Sequence, residues 1–414
     1  MATHIFSAVV EKMRSRSKLI VIERSKASSC VVLHSAYQWL PITQSWLYNQ
    51  IRYLPASITS YVACEETCNL EQFPIQNLHS LSQEARWRWG LEKLFRKVGI
   101  WRALPFLGRQ VRRSQAQILH SHFGNYGWAN LSVAQKYQLK HLVTFYGLDV
   151  NQLPQQDSRW RSRYQDMFQQ IDRVLCEGPH MAQCIVQLGC PAEKVSVHHL
   201  GVDLSKLPFQ PREWHPEKPL RVLMAASFRE KKGLTYALEA LRKLNTDVSL
   251  EITLIGDSGS DIESQQEKQR IVDIIRQYSL KVELLGYQPH RRFLQEAYQH
   301  HLFLSPSVTA RNGDTEGGAP VSIIEAAASG MPVISTDHCD IPEVLQPYPI
   351  ELCAQERNVE DLVRILKWWI GHPREWQGVL STTRTYIETE FGAKIQGQKL
   401  GAIYRDVMET EKCC

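Results

Sequence analysis

The sequence predicts an α/β protein built from two doubly wound units. Three observations carry that expectation. Short β-rich apolar runs alternate with amphipathic stretches along most of the 414 residues, a proline-rich connection breaks the alternation once near the middle, and the alternation then restarts. A chain of this length accommodates about two or three domains, each able to bury its own core. With 43% hydrophobic and 22% charged residues and no low-complexity run or internal repeat, the composition is that of a globular protein.

In chain order, the strands expected in the first unit are CVVLH (30–34), SYVAC (60–64), ILHSHF (118–123), HLVTF (141–145), RVLC (173–176) and VSVHH (195–199). Helical patterns such as TQSWLYNQIRYL (43–54) and MAQCIVQLG (181–189) lie between them. Pro208, Pro211, Pro216 and Pro219 then crowd a short stretch that suits an extended connection and resists a helix. The first unit is therefore expected over 1–210 and the second over 211–385. Strands of the second unit are expected at 221–225, 250–256, 282–286, 302–305 and 332–336, with helices near 234–245, 264–278, 290–299 and 321–329. The last fifty or so residues read as helix only. Their final pattern, GQKLGAIYRDVMETE, has no strand after it, so a C-terminal helix within 386–414 is expected to cross back onto the first unit.

The 48 basic and 43 acidic residues leave a net charge of +5, too mild to imply a nucleic-acid partner. Glu11, Lys12, Arg14, Arg16 and Lys18 interrupt every apolar run near the start, so no secretory leader is expected. No uncharged apolar run reaches the roughly 18 residues of a membrane-spanning helix, which predicts a cytoplasmic protein. The ten scattered cysteines then read as reduced thiols. Cys64 and Cys68 lack a second close Cys/His pair, so no zinc site is expected, and Cys413 and Cys414 lack the tail of a prenylation signal.

Chemistry concentrates in two segments of the second unit. In GDTEGGAPVSIIEAAASGMPVIST (313–336), Gly317, Gly318 and Pro320 shape a tight turn that opens a helix near Val321, so backbone N–H groups face a common point suited to an anion. Glu316 precedes that turn and Glu325 follows it, which could bring two carboxylates to one ligand. The same residues also fit a plain Gly-Pro turn before a packed, Ala-rich helix with Glu325 in solvent. In RVLMAASFREKKGLTYALEAL (221–241), a strand ends in a loop bearing Arg229, Lys231, Lys232 and Gly233 before a helix. Ligands of doubly wound folds bind beyond the carboxyl ends of strands, which places these cations to meet a diphosphate.

These segments resemble family 4 of the retaining glycosyltransferases, which have the GT-B fold. The similarity runs with gaps over most of the chain: TQSWLYNQIRYL, HSHFG (120–124), TFYGLD (144–149), KVSVHHLGVDL (194–204), the KKG loop, LIG (254–256), LLGY (284–287), and the EGGAP, IIEA and SGMPVIST block. The resemblance implies a nucleotide-sugar donor held by the second unit, an acceptor brought by the first, and chemistry in the cleft between them. It implies that Lys232 binds the donor diphosphate, Glu325 holds the ribose and Glu316 contacts the transferred sugar. The amides of Gly317, Gly318, Ala319, Pro320 and Val321 form the loop that completes the grip, with Pro320 contributing shape rather than a donor. Charge building on a departing nucleoside diphosphate is what Lys232, aided by Arg229, would stabilise. No metal is then required, and no Asp-x-Asp motif is present to hold one.

The chain departs from the family in three places. Glu316 and Glu325 have eight residues between them (317 to 324), one more than the family's usual spacing, so the loop must bulge. Ser227 stands where an arginine is usual, leaving Arg229 as its substitute. Tyr146 in TFYGLD replaces a histidine common near the transferred sugar. A tyrosine still donates a hydrogen bond, so Tyr146 is expected to be a substrate contact rather than an acid or base. His122 joins it as a candidate contact, although His120 and His122 also fit the part of core histidines satisfied by backbone. Asp149 is expected to cap its turn.

Residues 86–113 carry nine basic residues and one acidic, a local net of +8, among Trp87, Trp89, Phe95, Trp101 and Phe106. Such a stretch fits a membrane-surface segment attracted to anionic lipid, and equally a helix whose aromatics pack inward while its arginines face water. Together these readings predict retaining, metal-independent hexosyl transfer, without a cofactor, from a UDP- or GDP-sugar to a glycan or lipid-linked acceptor. Two rival readings stay open. One is another GT-B activity, nucleotide-sugar epimerisation or phosphorolysis; the other is an inactive relative that binds membrane or partner proteins.

Overall fold

The computed structural model describes residues 30–41, 45–98, 102–244 and 248–410. The stretch 1–29, Trp101, Cys413, Cys414 and the start of the helix expected from 43 lie outside them. The expected α/β class holds. The first sheet has seven strands, β1 (Cys30–Trp39), β2 (Ile58–Thr67), β3 (Leu78–Ser80), β4 (Ile118–His122), β5 (Lys140–Thr144), β6 (Arg173–Cys176) and β7 (Val195–Val197), in the order β3-β2-β1-β4-β5-β6-β7. The second has five, β8 (Leu220–Ala225), β9 (Leu250–Ile255), β10 (Val282–Gly286), β11 (Leu302–Ser305) and β12 (Val333–Ser335), in the order β10-β9-β8-β11-β12. Every pairing among these strands is parallel.

Both sheets wind outward from their first strand on one side and then return to its other side. Their switch points therefore fall between β1 and β4 and between β8 and β11, where ligands of such sheets bind. Only β3 escaped the sequence reading, because three residues at a sheet edge carry no periodicity.

The connection from Leu207 to Pro219 forms neither helix nor strand, yet it is not a loose tether. Arg212, buried, donates to the Ala297 carbonyl at 2.8 Å, and the buried Trp214 indole donates to the Lys218 carbonyl at 3.0 Å. At the far end of the chain, helix Ala393–Glu409 lies on the first sheet. Its Leu400, Tyr404 and Val407 join Val32, Ile118, Leu142 and Leu175 in one apolar cluster. All cysteines among the described residues are free thiols. Among the described residues, no helix is long and apolar enough to cross a membrane.

Candidate active site

The second unit brings its two sequence segments together at the β8/β11 switch point. β8 gives way to a short turn at Glu230–Lys232, and β11 to the 306–320 loop that enters helix Val321–Ala328. Lys232 Nζ lies 2.8 Å from Glu316 Oε2, and the Ser307 hydroxyl donates to Glu316 Oε1 at 2.9 Å. The Glu316 amide faces His338 Nε2 at 3.0 Å, while His338 Nδ1 stands 2.6 Å from Glu356 Oε1. Burial alone would raise the Glu316 carboxyl, but Lys232 and Lys231 outweigh it and hold it at about 2. The carboxylate is thus kept charged with its cation in contact.

Lys231 turns elsewhere, donating to Asp314 Oδ1 at 3.0 Å and to the Thr315 carbonyl at 2.8 Å, which braces the 306–320 loop. Arg229 is half-exposed and only grazes Asp314, at 3.9 Å, so its guanidinium remains available to a ligand. Glu325 is no solvated surface residue. It is buried, with His290 Nε2 within 2.9 and 3.0 Å of its two oxygens, and that bond raises the His290 pKa against the effect of its burial. No side chain caps the helix that starts at Val321, although the Ile323 amide turns back to the Pro320 carbonyl at 3.0 Å.

The first unit meets this loop directly. Gly147, with φ of +103°, and Gly317, with φ of +80°, both occupy left-handed backbone, and a Cβ on Gly317 would stand 2.3 Å from the Gly147 Cα. Beside them, a Cβ on Gly318 would lie 1.9 Å from Glu177 Oε2. Burial, and then Asp340, Asp149 and Glu316 nearby, push the Glu177 carboxyl well up. Asp340 reaches across the cleft to accept from the His180 and Met181 amides at 2.7 and 3.3 Å, capping helix Pro179–Gln187 from the other unit.

Tyr146 and His122, expected as substrate contacts, turn inward instead. Both are buried; the Tyr146 hydroxyl lies 2.6 Å from His122 Nδ1 and 3.4 Å from Gln50 Oε1. His122 Nε2 faces His34 Nδ1 at 3.1 Å. His120 sits between the Tyr404 hydroxyl at 2.7 Å and the Thr144 hydroxyl at 2.6 Å. The physical reason is strand register: His120 and His122 point to the sheet face that helix Ala393–Glu409 covers. Nitrogens of His34, His120 and His122 come within 4.8 Å of one another, as a metal would need. However, His120 and His122 each already engage both nitrogens. Asp149, expected to cap the turn that follows it, instead accepts from the preceding Gly124 and Tyr146 amides at 2.6 and 2.9 Å.

In the basic stretch, neither the aromatic nor the charged side chains sort cleanly to one side. Along helix Arg86–Lys97 the inward side carries charge: Arg96 pairs with Glu65 through both nitrogens, Lys93 pairs with Glu66, and buried Glu92 accepts from the Phe106 amide at 2.8 Å and from Arg109 at 2.7 Å. The outward side is apolar, with Trp87 63%, Leu91 41%, Leu94 54% and Val98 59% exposed at helical spacing. Phe106 follows the inward-packing pattern.

Sequence reasoning missed His290, His338, Glu356, Glu177 and Asp340. Each comes from an element distant in sequence from the loop it supports, with no motif to mark it.

A model of glycosyl transferases group 1 matches residues 208–377, and one of glycosyltransferase family 4 matches residues 44–206. The amylovoran biosynthesis glycosyltransferase AmsK of Erwinia amylovora is 33% identical over 294 residues, 70% of this chain and 70% of that protein. The chain belongs to the family 4 glycosyltransferases. Another relative of this glycosyltransferase is WcaL of Escherichia coli (strain K12), ascribed to colanic acid biosynthesis and 29% identical over 72% of each chain. Among solved structures, Alr3699/HepE of Anabaena, in complex with UDP and glucose, covers 91% of the glycosyltransferase with a TM-score of 0.71 and 14% identity; all of the HepE chain is covered. Sucrose-phosphate synthase from Thermosynechococcus elongatus covers 92% of it, over 99% of its own chain, with a TM-score of 0.70 and 16% identity. At such identities the likeness is one of fold, and that fold is GT-B.

Proposed function

We propose that this glycosyltransferase moves a hexosyl unit, with retention and without a divalent metal, from a UDP-sugar, or failing that a GDP-sugar, onto a lipid-linked glycan of a growing exopolysaccharide. The observation that carries the reading is the half-buried Lys232–Glu316 pair at 2.8 Å. An arriving diphosphate competes for Lys232, and the released Glu316 carboxylate accepts from sugar hydroxyls. Arg229 and the uncapped turn at Val321 supply further positive potential, and Glu325, steadied by His290, offers both oxygens to the ribose hydroxyls. As the anomeric carbon–oxygen bond breaks, charge gathers on the diphosphate beside Lys232. The acceptor oxygen attacks from the face the diphosphate leaves, and its proton passes to the departing phosphate oxygen.

The names of the relatives support a polysaccharide product, and the UDP bound to HepE supports the base. The outward stripe of Trp87, Leu91, Leu94 and Val98, with Arg86, Arg88 and Lys97 on the same helix, supports a seat on anionic lipid, where such acceptors reside. The test is thermal unfolding with UDP, GDP and ADP, on the native protein and on Glu325→Ala. Saturation at about 100 times Kd adds about 2.7 kcal/mol to stability. One nucleotide raises the midpoint and the variant loses that rise; if no nucleotide moves it, the donor reading fails and the inactive relative takes its place.

A further inference from the structure

Away from the donor cluster, the first unit has a cavity of about 230 Å³ between helix Arg86–Lys97, the 102–107 segment and helix Gly124–Lys136. At about 30 Å³ per water, that is the room of about eight waters, the scale of one sugar ring. Its floor is Ser35 and Ala36, where β1 runs on past its last pairing with β4 at Ser35 and Ser121. This is the switch point of the first sheet, the counterpart of the place the donor cluster occupies in the second.

The walls have the chemistry of a saccharide site. Asn130 Nδ2 donates to the Ser35 and Ser121 hydroxyls at 3.0 Å each, and the Tyr126 hydroxyl donates to Glu65 Oε1 at 3.4 Å. Trp128 and Trp160 supply aromatic surface, their ring centroids 5.7 Å apart. The charges leave a definite residue. Glu65 is neutralised by Arg96, whereas Arg102 lies over the Trp128 ring at 3.9 Å and Arg163 over Trp128 and Trp160 at 4.7 Å each. Among the described residues, neither Arg102 nor Arg163 has a carboxylate within ion-pair distance. Two arginines stacked on tryptophan, at the edge of a cavity where Ser35, Asn130 and Tyr126 stand among largely apolar side chains, are suited to an anion attached to a sugar.

We infer that this cavity is the acceptor pocket and that it takes a sugar bearing phosphate or carboxylate, with the anion on Arg102. The inference rests on the transferase reading above, and it deepens that reading by naming the acceptor's class. Phosphate could belong to a lipid-linked carrier or to a free sugar phosphate; both present the same group to Arg102.

The experiment is titration of the full chain with glucose 1-phosphate, glucuronate and glucose, followed by ligand-observed NMR. The two anions bind at least tenfold more tightly than glucose. Arg102→Gln removes that preference and leaves any glucose binding alone, Arg102→Lys keeps most of it, and Trp128→Ala weakens both anions. The midpoint rise with UDP is unchanged in the Arg102 variants, which separates failure here from failure of the donor reading and shows that the variants fold. Presenting the same sugar phosphate on a prenyl chain in phosphatidylcholine vesicles distinguishes the sources: tighter binding marks a lipid-linked acceptor, equal binding a free one. Glucose binding as well as the anions, an anion preference that survives Arg102→Gln, or no anion binding at millimolar concentration overturns the inference.

Discussion

Two polar clusters, one half-buried and one buried, lie on either side of the cleft, and they are built on opposite principles. The donor cluster is ionic: Lys232 with Glu316, Lys231 with Asp314 and His290 with Glu325. The first-unit cluster is neutral: His34, His120, His122, Tyr146, Gln50 and Tyr404 share hydrogen bonds, and burial holds the His34 imidazole down to about 3. An ion pair can exchange one partner for a charged ligand at little cost in desolvation, whereas a neutral network in a dry core has nothing to exchange. On the proposed donor reading, the first cluster would recognise the diphosphate and the second would frame the cleft.

The largest effect expected from breaking the contrast is at Lys232. Lys232→Ala should slow transfer about 10²- to 10³-fold, as loss of a preorganised charge does. It should also cost about 3 kcal/mol of stability by stranding Glu316. Adding Glu316→Gln should restore the denaturation midpoint but not the turnover; restored turnover would make the pair merely structural. Next comes His122→Ala, which opens a cavity and leaves Tyr146 with Gln50 alone. A loss of about 2 to 4 kcal/mol is expected with the UDP-induced midpoint rise intact, and a lost rise would move the neutral cluster into the donor site.

Acid separates the two clusters without mutation. The His34 pKa is depressed from 6.5 to about 3, so the unfolded chain takes up its proton first and this stability is lost as pH falls through that window. Glu316 is depressed from 4.5 to about 2, so its contribution stands above pH 4.5 and is lost only as pH falls towards 2. Urea titrations across pH should show His34→Phe reducing the slope in the higher window, which His141 and His198 share, and Glu316→Gln reducing it in the lower one. The smallest effect on stability is expected on the outer helix. Leu91→Ser or Leu94→Ser should stay within about 0.5 kcal/mol in solution, yet reduce sedimentation with vesicles of anionic lipid. Unchanged sedimentation would remove the membrane from the proposal.

The donor cluster was largely legible because each strand–loop–helix step carries its chemistry within a dozen or so residues, as around Lys232 and Glu316. What stayed hidden there, His290 and the His338–Glu356 relay, arrives from other loops and shows only in three dimensions. The first unit was legible as strands, but its side chains were read outward when register turns them inward. His122 and Tyr146 look exposed at a strand end until Trp46 and Gln50 of helix Ser45–Arg52 are laid against Tyr146. The 86–113 stretch disclosed its composition and concealed its orientation, because ion pairs to Glu65 and Glu66, on β2, rotate the helix.

The returning helix Ala393–Glu409 also has a bearing on synthesis. Leu400, Tyr404 and Val407 cover strands that leave the ribosome hundreds of residues earlier, so part of one face of the first sheet waits uncovered while the whole second unit is made. The second unit, whose cluster draws mainly on residues from Val202 to Phe391, can settle first. A nascent chain halted before Ala393 would therefore hold a finished donor half beside a sticky, unfinished acceptor half, the species a chaperone would be expected to attend.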